Sequence, residues 1–169
     1  MPSVIFYRHG PAEDRDPRRW PDDDDRPLTR EGRGEVRRAA RGLARIEPKV
    51  ESVLSSPALR AHQTAEIVRE ELEVRRALVL WPELSPGESA AAILARLAGR
   101  SAKGRPPVLV GHEPTLGELV GLSIGGEAIS WVRLSKGGAA CVTFAQRVTP
   151  GGAVLDWLLT RRQLMALGR

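Results

Sequence analysis

The strongest constraint on this chain is a pattern that occurs four times. A short run of apolar residues ends abruptly in a polar or glycine- and proline-containing stop, and a stretch with helical periodicity follows. Val4-Ile5-Phe6-Tyr7 stops at Arg8-His9-Gly10, and Val50 to Leu54 stops at Ser55-Ser56-Pro57. Ala77 to Leu80 runs into Trp81-Pro82-Glu83-Leu84-Ser85-Pro86-Gly87, and Pro107 to Val110 ends in Gly111-His112-Glu113-Pro114. Runs this short, rich in β-branched and aromatic residues, are the signature of buried strands. Strands that alternate with helices describe an α/β fold with a mainly parallel sheet.

The intervening segments read as helices. Thr29 is placed to cap a helix running to about Ile46, with Val36, Ala39, Ala40, Leu43 and Ile46 at helical spacing. A second helix spans Ala58 to Leu72 with Leu59, Ala65, Val68 and Leu72 inward. Ser56 is its expected cap and Pro57 its first position. Glu88 to Ala98 and Thr115 to Ile124 complete the set, with Ser101 to Pro107 a linker. Ala139 to Ala145 and Ala153 to Leu159 flank Thr149-Pro150-Gly151-Gly152, a hairpin signal. Such a hairpin supplies the antiparallel edge strands that often complete a parallel sheet.

In open α/β sheets, ligands bind outside the carboxyl ends of the strands. Strand and helix ends bring Arg8, His9, Arg60, Glu83 and His112 to that edge. Gly10 lacks a Cβ, so the chain can turn there and its backbone can approach an anion. Two arginines and two histidines without an acidic metal cluster describe an anion pocket. Phosphate fits it, because the guanidinium fork matches phosphate oxygens. A neutral histidine whose lone pair faces phosphorus can act as nucleophile. Phosphoryl transfer then needs in-line positioning and neutralised oxygen charge. A carboxylic acid such as Glu83 can protonate the leaving group.

Other function classes are less well supported. The chain has 169 residues, 41% hydrophobic and 28% charged, which predicts one soluble globular domain over residues 1–169. No apolar run is long enough for a membrane span, and no basic leader precedes Val4, so the expected location is the cytoplasm. The net charge of +5 invites nucleic acid. However, the arginines are interspersed with acids and aromatics make up only 4%, so no nucleic-acid partner is expected. Arg33, Arg37, Arg41 and Arg45 form a stripe flanked by Glu31, Glu35 and Glu47, a solvated helix face. Asp22 to Asp25 lie in a proline-rich loop with no histidine or cysteine nearby, and read as a solvated acidic loop rather than a metal site. Cys141 has no disulfide partner in the chain and sits in an apolar run. His62 points away from Arg60 on an ideal helix and is expected at the surface. Trp157 reads as core, and Trp20 as a loop residue placed to meet substrate.

Taken together, Arg8-His9-Gly10, Leu28-Thr29 with Gly32, Ser55-Ser56-Pro57 with Arg60-Ala61 and Gln63-Thr64-Ala65, and Gly111-His112-Glu113-Pro114 resemble the motifs of the histidine phosphatase superfamily. Arg26-Pro27-Leu28-Thr29, Pro82-Glu83-Leu84-Ser85-Pro86 and Trp157-Leu158-Leu159-Thr160 are similar to its SixA-type phosphohistidine phosphatases. The resemblance covers essentially the whole chain. It implies a phosphoglycerate mutase-like, three-layer α/β/α sandwich. It also implies that His9 becomes phosphorylated and that Arg8, Gly10, Arg60 and His112 hold the phosphoryl group, without metal or other cofactor. Glu83 matches the family's acid–base position; it is either that acid or a loop-ordering residue, in which case Asp14 or Glu13 substitutes. Mutase relatives follow Arg-His-Gly with a Ser/Thr and an Asn, where this chain has Pro11-Ala12-Glu13-Asp14. The insertion between Trp81 and Pro107 is small, so the pocket should be open. The resemblance therefore implies a phosphatase acting on phosphohistidine in proteins. The alternatives are a small phosphoester, such as a sugar phosphate or nucleotide, or a phosphate-binding module without turnover.

Overall fold

The computed structural model describes residues 1–100 and 104–169. Its parallel strands are β1 (Ser3–Arg8), β2 (Val53–Ser55), β3 (Val79–Leu80) and β4 (Val108–Gly111). They join β5 (Ala139–Phe144) and β6 (Ala153–Leu159) in one sheet of order β3-β2-β4-β1-β5-β6. β1 pairs parallel with β4, and β2 pairs parallel with both β4 and β3. β5 is antiparallel to β1, and β6 to β5. The sheet is therefore mainly parallel with the expected antiparallel edge.

The helices are α1 (Arg30–Ile46), α2 (Leu59–Glu71), α3 (Ala90–Ala98), α4 (Thr115–Gly125) and α5 (Arg161–Leu167). Side chains alternate across each central strand, and both faces are covered. Ile5, Tyr7, Val53, Val108 and Val110 pack with α1, α2 and α5, whereas Val4, Phe6, Leu54 and Leu109 pack with α3 and α4. This double burial explains why the strands read as continuous apolar runs. The result is a three-layer α/β/α sandwich. Among the described residues, no helix is long and apolar enough to cross a membrane.

Thr29 caps α1 as expected, accepting a hydrogen bond from the Gly32 N–H at 2.8 Å. Ser56 does not cap α2: the cap position is Ala58, which makes no side-chain cap bond. The Ser56 hydroxyl instead accepts from the Ala58 N–H at 3.2 Å and lies against His112, as described below. The third strand is shorter than Ala77 to Leu80, because only Val79 and Leu80 pair with β2, at an exposed sheet edge. The linker expected over Ser101 to Pro107 begins with residues 101–103, which lie outside the described ones. Trp157 is partly buried against the core that holds α1 and α5.

The arginine face of α1 is less simply solvated than expected. Arg37 and Arg41 each reach Glu71 of α2 at 2.9 Å, and Arg45 donates to the Arg169 carbonyl at 2.7 Å. Helix α5 had no expected counterpart. At seven residues it is too short to show periodicity, although Thr160 and Gln163 form a capping box at its start.

Candidate active site

The sheet register assembles the site. Arg8 on β1 is level with Gly111 on β4, so the next residues, His9 and His112, emerge side by side. The His9 N–H donates to the Gly111 carbonyl at 3.1 Å, and the two ring centroids are 5.1 Å apart. His9 Nδ1 lies 2.8 Å from the Gly10 carbonyl oxygen. A carbonyl can only accept, so Nδ1 carries the proton and Nε2 keeps the lone pair. Burial pushes the His9 pKa down to about 3, against the Gly10 hydrogen bond and helped by Arg60 and Arg8. Burial, with His9, Arg60 and Arg8, pushes His112 down to about 2. Both rings are neutral at pH 7. His112 Nε2 sits 2.9 Å from the Ser56 hydroxyl, which β2 delivers beside β4.

The arginines are positioned by loops. Arg8 Nη1 donates to the Leu134 carbonyl at 2.8 Å, while its Nε is buried and finds no partner among the described residues. Arg60 projects from the first turn of α2, 3% exposed, and among the described residues its Nε likewise has no partner. Its Nη1 donates to the Asp23 carbonyl at 2.7 Å, and its Nη2 lies 3.4 Å from the Asp23 carboxylate. Arg26 grips the same carboxylate through Nε and Nη2 at 2.8 and 3.2 Å, and donates to the Glu13 carbonyl at 2.8 Å. The Asp22 to Asp25 run is thus more than a solvated loop. Asp22 accepts from the Asp24 N–H at 2.9 Å, and Asp23 holds Arg26 and Arg60 in place.

These groups line a cavity of about 360 Å³. Its wall holds five basic side chains, Arg8, Arg15, Arg26, Arg60 and Lys136, against the acids Glu13, Asp14 and Glu113, together with both histidines. Burial lowers the pKa of Arg8 and of Arg60 below the ordinary guanidinium value, yet both stay charged. Such a cavity favours an anion, and it presents the His9 lone pair to it.

Of the residues expected at the sheet edge, Arg8, His9, Arg60 and His112 come together and Glu83 does not. The Glu83 carboxylate is ion-paired with Arg96, whose guanidinium stacks on Trp81 at 4.2 Å. Its own backbone N–H and Arg96 hold its carboxyl below the usual range. This pairing ties the loop after β3 to α3, and among the described residues the acids on the cavity wall are Glu13, Asp14 and Glu113. Gly10 also has a packing role. Its N–H donates to the Thr64 hydroxyl at 3.0 Å, and a Cβ there would run into Val36 of α1. The missing Cβ is therefore what lets α1 pack against this turn. His62 stays near the surface, 3.8 Å from Glu66. Trp20 lines a separate hollow with Arg15, Pro17 and Asp23. Sequence reasoning missed Arg26, Lys136 and Glu113. Arg26 and Glu113 stand within Arg26-Pro27-Leu28-Thr29 and Gly111-His112-Glu113-Pro114, motifs that gave them no role of their own, and Lys136 was marked only by its place before Gly137-Gly138.

Residues 4–88 match the family described as the histidine phosphatase superfamily (branch 1). The chain is 34% identical over 156 residues to the phosphohistidine phosphatase SixA of Escherichia coli, covering 87% of this chain and 93% of that protein. It is 37% identical over 136 residues to an uncharacterised protein of a Picosynechococcus strain, covering 80% and 81%. The solved structure of the protein histidine phosphatase SixA complexed with tungstate superposes with a TM-score of 0.82 at 29% identity, over 96% of this chain and 99% of that one. The fold is the phosphoglycerate mutase-like one of these neighbours, and the chain belongs to the histidine phosphatase superfamily, in its SixA-type branch.

Proposed function

We propose that this protein hydrolyses phosphohistidine in proteins through a phosphorylated His9, without a metal ion. The observation that carries the reading is the His9 ring, fixed by the Gly10 carbonyl with Nε2 free, in a cavity lined by Arg8, Arg60 and His112. In the first step, Nε2 attacks phosphorus in line. The new N–P bond forms as the bond to the substrate nitrogen breaks, and that nitrogen leaves with a proton. Arg8 and Arg60 neutralise the charge on the phosphoryl oxygens, and the neutral His112 ring donates a hydrogen bond to one of them. Asp14 supplies the proton, because it lines the cavity and Glu83 does not. In the second step, water attacks phosphorus, the P–Nε2 bond breaks, and Asp14 takes the water's proton.

The similarity to SixA supports phosphohistidine as the substrate. The 360 Å³ cavity by itself also fits a small phosphoester, which is the second reading. Single-turnover phosphate release decides between them, measured on a phosphohistidine peptide and on an aryl phosphate with wild type and His9→Ala. Fast release from the peptide, abolished by His9→Ala, is the expected result. Release from the aryl phosphate alone would move the substrate to small esters, and undiminished release by His9→Ala would overturn the mechanism.

A further inference from the structure

The segment between α4 and β5 is not accounted for by phosphoryl chemistry. Residues 129–132 lie flat on α4, where Gly117, Gly121 and Gly125 leave room. A Cβ on Gly117 would meet Ser130 and the Val132 carbonyl, one on Gly121 the Ile129 carbonyl, and one on Gly125 the Trp131 ring at 3.2 Å. The strap is tied at its far end, where the Leu134 N–H donates to Glu113 Oε1 at 2.9 Å. It is therefore a well-supported surface, yet it holds Trp131 64% exposed and Ile129 46% exposed. Exposed apolar side chains that sit together on a fixed surface can form a docking patch.

Trp131 is one wall of a groove of about 610 Å³ with Glu113, Pro114, Val132 and Arg133. Glu113 is also a wall of the His9 cavity, so groove and cavity meet there. The two differ in character. The cavity is lined mainly by charged and imidazole groups, whereas the groove combines an indole, a proline and a valine with Ser130, the Glu113 carboxylate at its cavity end and one cation, Arg133. Arg133 is exposed and, among the described residues, makes no ion pair. A small phosphoester would be held by the cavity alone. A phosphorylated residue within a chain must continue beyond it, and the groove offers that chain apolar contact and a positive charge.

We propose that the groove along Glu113, Trp131 and Arg133 docks the polypeptide flanking the phosphorylated residue, an extended segment whose apolar side chain covers Trp131 and whose carboxylate meets Arg133. This rests on the proposed phosphohistidine activity and specifies how the protein part of that substrate is recognised. Trp131 touches no reacting atom in this account, so its loss should raise KM for chain-bearing substrates and spare the chemistry.

The test uses three substrates: a histidine peptide flanked by leucine and glutamate and phosphorylated with phosphoramidate, free phosphohistidine, and p-nitrophenyl phosphate. Kinetics are measured for the wild-type chain, Trp131→Ala and Arg133→Glu. Wild type should prefer the peptide over free phosphohistidine, and each variant should lose about thirtyfold in kcat/KM on the peptide, the lower bound for one interface hot spot. The loss should fall on KM, with both small substrates unaffected. Arg133→Glu keeps the experiment informative if Trp131→Ala folds poorly. Unchanged peptide kinetics in both variants would overturn the docking site and leave the phosphatase reading intact. Trp131→Ala turning a dimer into a monomer, with peptide kinetics unchanged, would assign the face to a second copy of the chain and overturn the proposal. No turnover of either phosphohistidine substrate by wild type would overturn the substrate reading and the docking site with it.

Discussion

At the scale of single residues, two carboxylates separate by environment. Asp14 lines the anion cavity, while Glu83 is held by Arg96 over the Trp81 ring. Asp14→Asn should slow hydrolysis of an alkyl phosphate by about a hundredfold. It should matter less for p-nitrophenyl phosphate, whose leaving group departs without a proton. Glu83→Gln should leave both rates within a small factor of wild type. Steady-state kinetics on the two esters check this, and a larger loss for Glu83→Gln than for Asp14→Asn would reverse the assignment. The residues at strand ends were legible because each follows a recognisable apolar run and the parallel register brings Arg8-His9 level with Gly111-His112. Arg26, Lys136 and Glu113 were not. Their places depend on loop paths fixed by long-range bonds, such as Asp23 to Arg60 and Leu134 to both Arg8 and Glu113.

At the scale of elements, local signals were good where an element is long or buried. α1 and β1 have clear periodicity, and Thr29 marks a start. β3 was overestimated, because only two of its residues pair at the sheet edge. α5 was missed because its position depends on α1 rather than on its own pattern. Gly42 of α1 faces the Leu164 carbonyl, and Gly168 faces the Arg38 carbonyl, so the two helices touch backbone to backbone. In an isolated helix, Gly42→Ala would stabilise by about 1 kcal/mol. Here the added methyl must push α5 away. The expected outcome is a net loss of about 1–3 kcal/mol, the usual cost of overpacking. Urea unfolding measures it, and a gain in stability would show that α5 is not seated on α1 as described.

At the scale of the whole molecule, the fold confines two neutral histidines among the Arg8 and Arg60 guanidiniums beneath one sheet edge, and stability depends on pH as a result. Burial lowers the His9 pKa to about 3 and the His112 pKa to about 2, against about 6.5 in an unfolded chain. Below pH 6.5 the unfolded chain therefore binds protons that the folded protein refuses, and stability falls on acidification towards those lower values. Each histidine contributes a slope of at most about 1.4 kcal/mol per pH unit. Asp23, lowered by its bond to Arg26, acts in the same direction; Glu113, raised by burial, acts against it. Urea unfolding from pH 7 to pH 4.5 should show a shallower acid slope for His112→Asn than for wild type, and parallel slopes would contradict the buried neutral state. The central claim concerns His9 itself, and the most direct measurement is a rapid quench during turnover of a ³²P-labelled phosphohistidine peptide, followed by mapping of the label. The account predicts an acid-labile, base-stable phosphoryl group on the His9 peptide of the wild-type chain and none in His9→Ala. Turnover without a labelled protein, or a label that survives His9→Ala, would contradict it.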